Sequence, residues 1–275
     1  MAHAEVRRYY ENNTRRMLRW GPGRSEGVLH RPVWDPGLKE RRDALHAVER
    51  RIAELLSTLA PRHLLDLGCG TGASALWLAE RLPARITGVT LSPLQVRLAG
   101  EQAAARGLTG RCRFLEADFL RLPDLEPADT AYAIESFTHV ESPGAFFAAL
   151  RGRILPGGLL ILCDDLLERS PPLHGTEARW VERFRTGWHL SSLSTLTEVR
   201  QQAEAQGFRL QLAEDLTPHL RLTPPPVLAL RRLLPLLPLL NASARASLDG
   251  GTALQVCLHR GWVRYRFLVF RRGAA

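Results

Sequence analysis

Asp66, Gly68, Gly70 and Gly72 stand at alternate positions within LLDLGCGTGASALWLAE, residues 64–80. Glycines so spaced leave a turn without side chains, and a ligand can approach its backbone closely. The carboxylate two residues ahead of the first glycine suits a cationic ligand end better than a phosphate. Further on, AIESFTHVESPGAFF carries Glu135 and His139 in one short stretch. Both are residue types that accept a proton in general base catalysis. EADF places another acid, Asp118, between these two stretches.

Such residues act together only if secondary structure brings them to one edge. HLLDL, residues 63–67, reads as a buried strand, and Ala73–Arg81 as the helix after it. RITGV reads as the next strand. Ser92 and Pro93 supply a cap and a first helical residue for the following helix, and Gly107 closes it. RCRFLEA and DTAYAIE read as two more strands. A helix opens at Ser142–Pro143, and GGLLILCDDL, nearly all apolar, suits a strand covered on both faces. This alternation predicts a parallel sheet with right-handed crossovers, and ligands of such sheets bind beyond the C-terminal strand ends. The glycine turn and the Glu135 loop both fall there. Before the sheet, Leu38, Leu45, Val48, Ile52, Leu55, Leu56 and Leu59 mark one face of a single helix. After it come a helix capped by Thr195 and Glu198, the strand FRLQLAED and the strand WVRYRFLVFRR. The proline- and leucine-rich stretch from Pro224 predicts broken helix at best.

A dinucleotide-binding turn reads G-x-G-x-x-G and is followed by an acid for the ribose. Here the spacing is G-x-G-x-G, and Thr90 stands where that acid would be. LLDLGCGTG instead resembles the first motif of the class I S-adenosylmethionine-dependent methyltransferases. Asp118 resembles the acid of their third motif, and LPGG at 155–158 their turn before the fifth strand. The resemblance implies an α/β, Rossmann-like, seven-stranded sheet, mostly parallel, with an antiparallel last strand between the fifth and sixth. Helices would cover both faces. It implies S-adenosylmethionine as cofactor, with S-adenosylhomocysteine as product, held by Asp66, Gly68, Gly70, Asp118 and Phe119. GVTLSPLQ resembles a subset that comprises the sterol, tocopherol, geranyl diphosphate and cyclopropane fatty-acid enzymes. In that subset the region of Thr90, Leu91 and Gln95 contacts the cofactor. Gln95 has a second reading, a capping box with Ser92.

The same subset implies that Glu135 lies near the transferable methyl as base or orienter, with His139 as the second candidate base. It also implies that the aromatic N-terminal arm folds over the cofactor. Tyr9, Tyr10, Phe137 and Trp188 are the expected acceptor contacts. The organisation expected is an arm or lid over residues 1–37 and a methyltransferase domain over 38–275. Cap elements would lie at about 168–195 and 221–250. The acceptor expected is a small molecule, prenyl- or lipid-like, with Arg231 and Arg232 available to a phosphate. N- or O-methylation of a polar molecule, a nucleic-acid methyltransferase and a non-catalytic partner subunit stay open as alternatives. For the nucleic-acid methyltransferase, only the charge speaks.

That charge is +9, carried almost wholly by scattered arginines, with Lys39 the single lysine. Scatter favours codon bias over a nucleic-acid surface. The four cysteines have no metal or redox spacing, and no metal site is indicated. No apolar run approaches the ~20 residues of a membrane span, and the N-terminus lacks the apolar stretch of a signal peptide. A cytoplasmic protein is expected, with a homodimer one way to cover the leucine-rich stretch.

Overall fold

The computed structural model describes residues 14, 18, 19, 26–231 and 242–274. Tyr9, Tyr10 and Arg232 lie outside them. Seven strands form one sheet: β1 (His63–Leu67), β2 (Arg85–Thr90), β3 (Cys112–Glu116), β4 (Ala128–Ile134), β5 (Ile154–Leu167), β6 (Phe208–Asp215) and β7 (Val263–Arg272). Their order is β3-β2-β1-β4-β5-β7-β6. Neighbours among β1 to β5 run parallel, and β7 lies antiparallel to both β5 and β6. This is the expected topology.

Strand alternation sends successive side chains to opposite faces. Leu64 joins one apolar layer with Ile52, Leu76 and Tyr132. Leu65 joins the other with Phe146, Phe147 and Phe208. Leu45 of α1 (Arg41–Leu45) packs with Val28 and Ala73 in a small cluster of its own, while the first layer is covered by α2 (Ala47–Ser57) and α3 (Ala73–Ala79). The expected single helix from Leu38 is thus two, interrupted at His46, whose ring stacks on Trp77 with centroids 5.3 Å apart. Next in the chain, α4 (Pro93–Ala105) starts from Ser92, whose hydroxyl accepts the Gln95 N–H. The second layer is covered by α5 (Pro143–Arg151), capped by Ser142, and α7 (Leu196–Ala205), with the expected Thr195–Glu198 capping box. The four cysteines are unpaired and buried.

A third apolar cluster sits beyond the end of β5. It joins α6 (Gly175–Gly187) to α9 (Ala242–Arg260), with α8 (Pro225–Arg231) before the latter. The 19-residue α9 replaces the broken helix expected in its first half. Gly250 and Gly251 hid it, since mid-helix glycine costs about 1 kcal/mol against alanine. Gly250 is there for contact: a Cβ on it would lie 2.6 Å from Trp188 Cδ1 and 2.9 Å from the Gly187 carbonyl carbon. No helix among the described residues is long and apolar enough to cross a membrane.

Candidate active site

Beyond β1 the chain turns through Gly68 and Gly70, with φ of +82° and +53°, a region that disfavours side chains. The Gly68 and Cys69 N–H groups donate to the Val89 carbonyl at 2.9 Å, which pins the turn to β2. A Cβ on Gly68 would sit 2.5 Å from Ser136 Cβ, and one on Gly70 would sit 3.1 Å from Leu29 Cδ1. Asp66 is buried beneath, and its Oδ2 has no hydrogen-bond partner. Burial pushes this carboxyl up to about 7. At the end of β2 the Thr90 hydroxyl donates to Gln95 Oε1 at 2.6 Å, while Gln95 Nε2 donates to the Thr14 hydroxyl at 3.0 Å. The Gln95 side chain therefore turns away from the helix cap and ties β2 to the arm. Asp118 accepts the Leu120 N–H at 2.9 Å and so fixes the turn that carries Phe119.

Residues 26–31 strap over this turn. Thr71 donates to the Gly27 carbonyl at 2.7 Å, and the His30 ring meets the buried Glu49 at 2.7 Å. Arg31 reaches furthest. Its backbone N–H and Nε donate to Glu135 Oε1 at 2.9 and 3.0 Å, and its two terminal nitrogens donate to Asp165 at 3.1 and 2.8 Å. The guanidinium lies 4.1 Å over the Tyr265 ring, and the Tyr265 hydroxyl donates to Glu135 at 3.0 Å. Glu135 itself has φ +51°, unusual for a residue with a side chain. Burial would raise its carboxyl, but the charges of Arg31 and His30 outweigh burial and hold it below the usual range. Burial raises Asp165 to about 6 against the pull of Arg31. Burial and the neighbouring Asp165 charge raise Asp164 to about 7.

His139 is held differently. It ends the 3-10 turn Phe137–His139, and its Nδ1 lies 3.3 Å from the His189 carbonyl. A carbonyl only accepts, so Nδ1 carries the proton and Nε2 the lone pair. Burial lowers this imidazole to about 4, so it is neutral at pH 7. His189 aims its carbonyl from a left-handed conformation, φ +53°. Its neighbours Ser191 and Ser192 donate to the Thr138 carbonyl at 3.1 and 3.3 Å. Asp164 accepts the Thr138 N–H at 3.1 Å from the other side.

A cleft of about 420 Å³ joins these groups. Asp66, Gly68, Gly70, Thr90, Leu91, Gln95, Asp118, Phe119 and Glu135 line one half. His139 and Trp188 line the other, with Phe184, Leu190 and Leu254 of the cap. Phe137 does not line it. It is 2% exposed and packs on Phe146 at 5.1 Å in the core, which corrects its assignment as an acceptor contact. The sequence reading missed Arg31, Asp165, Tyr265 and His189. Only Asp164–Asp165 left a signal, two acids inside an otherwise apolar strand.

Residues 64–158 match the family model described as a methyltransferase domain. An O-methyltransferase of Pyrenophora dematioidea is 31% identical over 199 residues, covering 71% of this chain and 73% of that protein. The chain belongs to the class I S-adenosylmethionine-dependent methyltransferases. Another methyltransferase, the 27-O-demethylrifamycin SV enzyme of Amycolatopsis mediterranei, is 31% identical over 195 residues, covering 70% of this chain and 71% of that one. Sterol C-methyltransferases are also among the relatives. In structure, the methyltransferase is similar to the [4+2]-cyclase SpnF, with a TM-score of 0.77 and 23% identity across 100% of this chain and 98% of that one. At that identity the likeness concerns the fold alone.

The methyltransferase uses S-adenosylmethionine, and its residues fit that molecule. The unpartnered Asp66 oxygen suits an ammonium group. The bare backbone at Gly68 and Gly70 admits a close methionine end. Asp118 and Phe119 offer an acid and a ring edge to a heterocycle.

Proposed function

We propose that this methyltransferase methylates a hydroxyl oxygen on a largely apolar small molecule, of the kind made in secondary metabolism, with His139 as the general base. When bound, S-adenosylmethionine supplies an electrophilic methyl on a sulfonium leaving group. The acceptor oxygen forms the new bond to carbon as the carbon–sulfur bond breaks, and the hydroxyl proton passes to His139 Nε2. Phe184, Trp188, Leu190 and Leu254 give the acceptor an apolar wall and keep water from the reacting atoms. Arg31, strapped to Glu135 and Asp165, closes the cofactor half. The arm is on this reading a lid, and Tyr9 and Tyr10 lie outside the residues that bear on it.

The observation that carries the proposal is the fixed tautomer of His139, a neutral imidazole whose Nδ1–H is committed to His189. The O-methyltransferases among the relatives support oxygen as the acceptor atom. Methylation at a prenyl carbon would assign the proton to Glu135. That carboxylate already accepts three hydrogen bonds on one oxygen. A nucleic-acid acceptor fits less well, because the apolar side chains Phe184, Trp188, Leu190 and Leu254 line the acceptor half.

The test is transfer of labelled methyl from S-adenosylmethionine to phenols, aliphatic alcohols, geranyl diphosphate and small polar amines, with the product bond located by NMR. An O-methyl ether is expected, formed slowly by His139→Asn. A methyl found on carbon or on a small amine overturns the reading.

A further inference from the structure

Two polar side chains enter the acceptor half of the cleft from the cap and have no part in the reaction above: Arg231 and Gln255. Thr223 holds them side by side. Arg231 Nη1 donates to the Thr223 hydroxyl at 3.1 Å, and Gln255 Oε1 accepts the Thr223 N–H at 2.8 Å. His259 in turn meets the Thr223 carbonyl at 2.8 Å, which steadies the hub. With its amide oxygen so engaged, Gln255 turns its NH₂ donors elsewhere. Among the described residues no carboxylate pairs with Arg231, and the remaining guanidinium donors have no protein acceptor.

The position of this pair matters as much as its chemistry. Ser247, Gly251, Leu254 and Gln255 line the cleft from one face of α9. At about 1.5 Å per residue, Ser247 and Gln255 lie roughly 12 Å apart along that helix. The Ser247 end is fixed beside Trp188, whose Nε1 donates to the Ser247 carbonyl at 3.1 Å. Trp188 precedes His189, the residue that orients His139. The chamber therefore has a base near one end, apolar walls between, and two outward-turned donors, one of them cationic, near the other.

We infer that the acceptor carries a carboxylate at the end remote from the methylated hydroxyl, and that Arg231 and Gln255 bind it. A guanidinium and an amide side by side match two coplanar oxygens. A neutral acceptor would leave the cationic donors facing an apolar body, at a desolvation cost. The inference rests on the acceptor chamber assigned above, and it adds the class of molecule that fills it.

The test uses the full chain saturated with S-adenosylhomocysteine and two matched rods, 4′-hydroxybiphenyl-4-carboxylate and 4-hydroxybiphenyl, titrated by calorimetry. The carboxylate is expected to bind about tenfold tighter or better, the factor of a charge-assisted hydrogen bond. Arg231→Met should erase that preference by weakening the carboxylate and tightening the neutral phenol, which no longer faces unmet donors, while Gln255→Leu removes part of it. Circular dichroism checks both variants, and two variants guard against one that fails to fold. Equal binding of the two rods, a preference that survives Arg231→Met, or no binding of either rod overturns the inference. So does a geranyl diphosphate titration that gives tighter binding than the carboxylate. Labelled-methyl transfer to both rods separates the two proposals. A carboxylate preference in binding with no O-methyl product sinks the proposed hydroxyl methylation alone, and equal methylation of both rods sinks the carboxylate alone.

Discussion

Glu135 and His139 stand four residues apart, yet their surroundings give them opposite roles. His139 is neutral and faces the acceptor half, so His139→Asn should lower kcat by about 10²–10⁴ while leaving S-adenosylmethionine affinity unchanged by calorimetry. With this imidazole lowered to about 4, the rate should stay flat from pH 8 to 6 on its account. An acid limb centred near 6.5 would remove His139 as the base. Glu135→Gln keeps the oxygen but loses the charge that pairs with Arg31. It should raise the cofactor Kd more than it lowers kcat, in steady-state kinetics with titrated cofactor. The residue types at 135 and 139 were legible in the sequence as proton acceptors. The work that Glu135 does was not, because its partner Arg31 lies 104 residues away in the chain. Phe137 shows a related blindness. In a 3-10 turn, residues two apart point to different sides, so Phe137 enters the core while His139 reaches the cleft.

At the scale of elements, the strap and the cap carry the site. Arg31→Met would leave Asp165, with a side chain 3% exposed, without its cationic partner. Removing one member of a buried pair costs about 3–5 kcal/mol, and a loss of about 3 kcal/mol in denaturant unfolding is expected here. Faster release of bound cofactor in stopped flow should accompany it. In the cap, Gly250→Val would push a side chain into Trp188 and the Gly187 backbone. Overpacking of this kind costs about 1–3 kcal/mol. Thermal melting should show that loss, and Trp188 fluorescence should shift as the ring moves. Strands and capped helices were readable because alternation and the residues Ser92, Ser142 and Thr195 are local signals. The α9 helix was not, since its two glycines serve a contact with α6 rather than the helix that contains them. The strap escaped for a similar reason: HRP in the arm has no periodic pattern, and its meaning is a set of partners on α2, just past β4, on β5 and on β7.

For the whole molecule, titration of the buried acids ties stability to the cofactor. Asp66 and Asp164 are raised to about 7 and Asp165 to about 6. Above about pH 4 the unfolded chain has lost these protons and the folded chain keeps them, so stability falls as pH rises to about 7. His30, raised to about 9 beside Glu49, contributes fully below about 6.5, and its contribution is lost as pH climbs through about 9. Glu135 runs the other way: held low, it contributes above the carboxylate range, and that is lost in acid. Against this background a ligand ammonium beside Asp66 favours the ionised carboxyl. The gain in Tm from S-adenosylhomocysteine should therefore grow from pH 6 to pH 8, with proton release near pH 7 seen by calorimetry in buffers of different ionisation enthalpy. A constant gain across that range would separate Asp66 from the ligand ammonium. The sheet order has a consequence for synthesis. β6 leaves the ribosome before β7 but touches the sheet only through it. Until residues 263–272 emerge, β5 has an open edge, β6 has nowhere to pair, and Tyr265 is missing from behind Glu135. Translation delivers roughly 5–20 residues per second, so the nascent chain spends seconds with a nearly complete cofactor half and an unpaired strand edge. A ribosome stalled within α9 would hold a chain with its glycine turn formed and its Arg31 strap already on Glu135 and Asp165, but without the Tyr265 ring beneath the guanidinium.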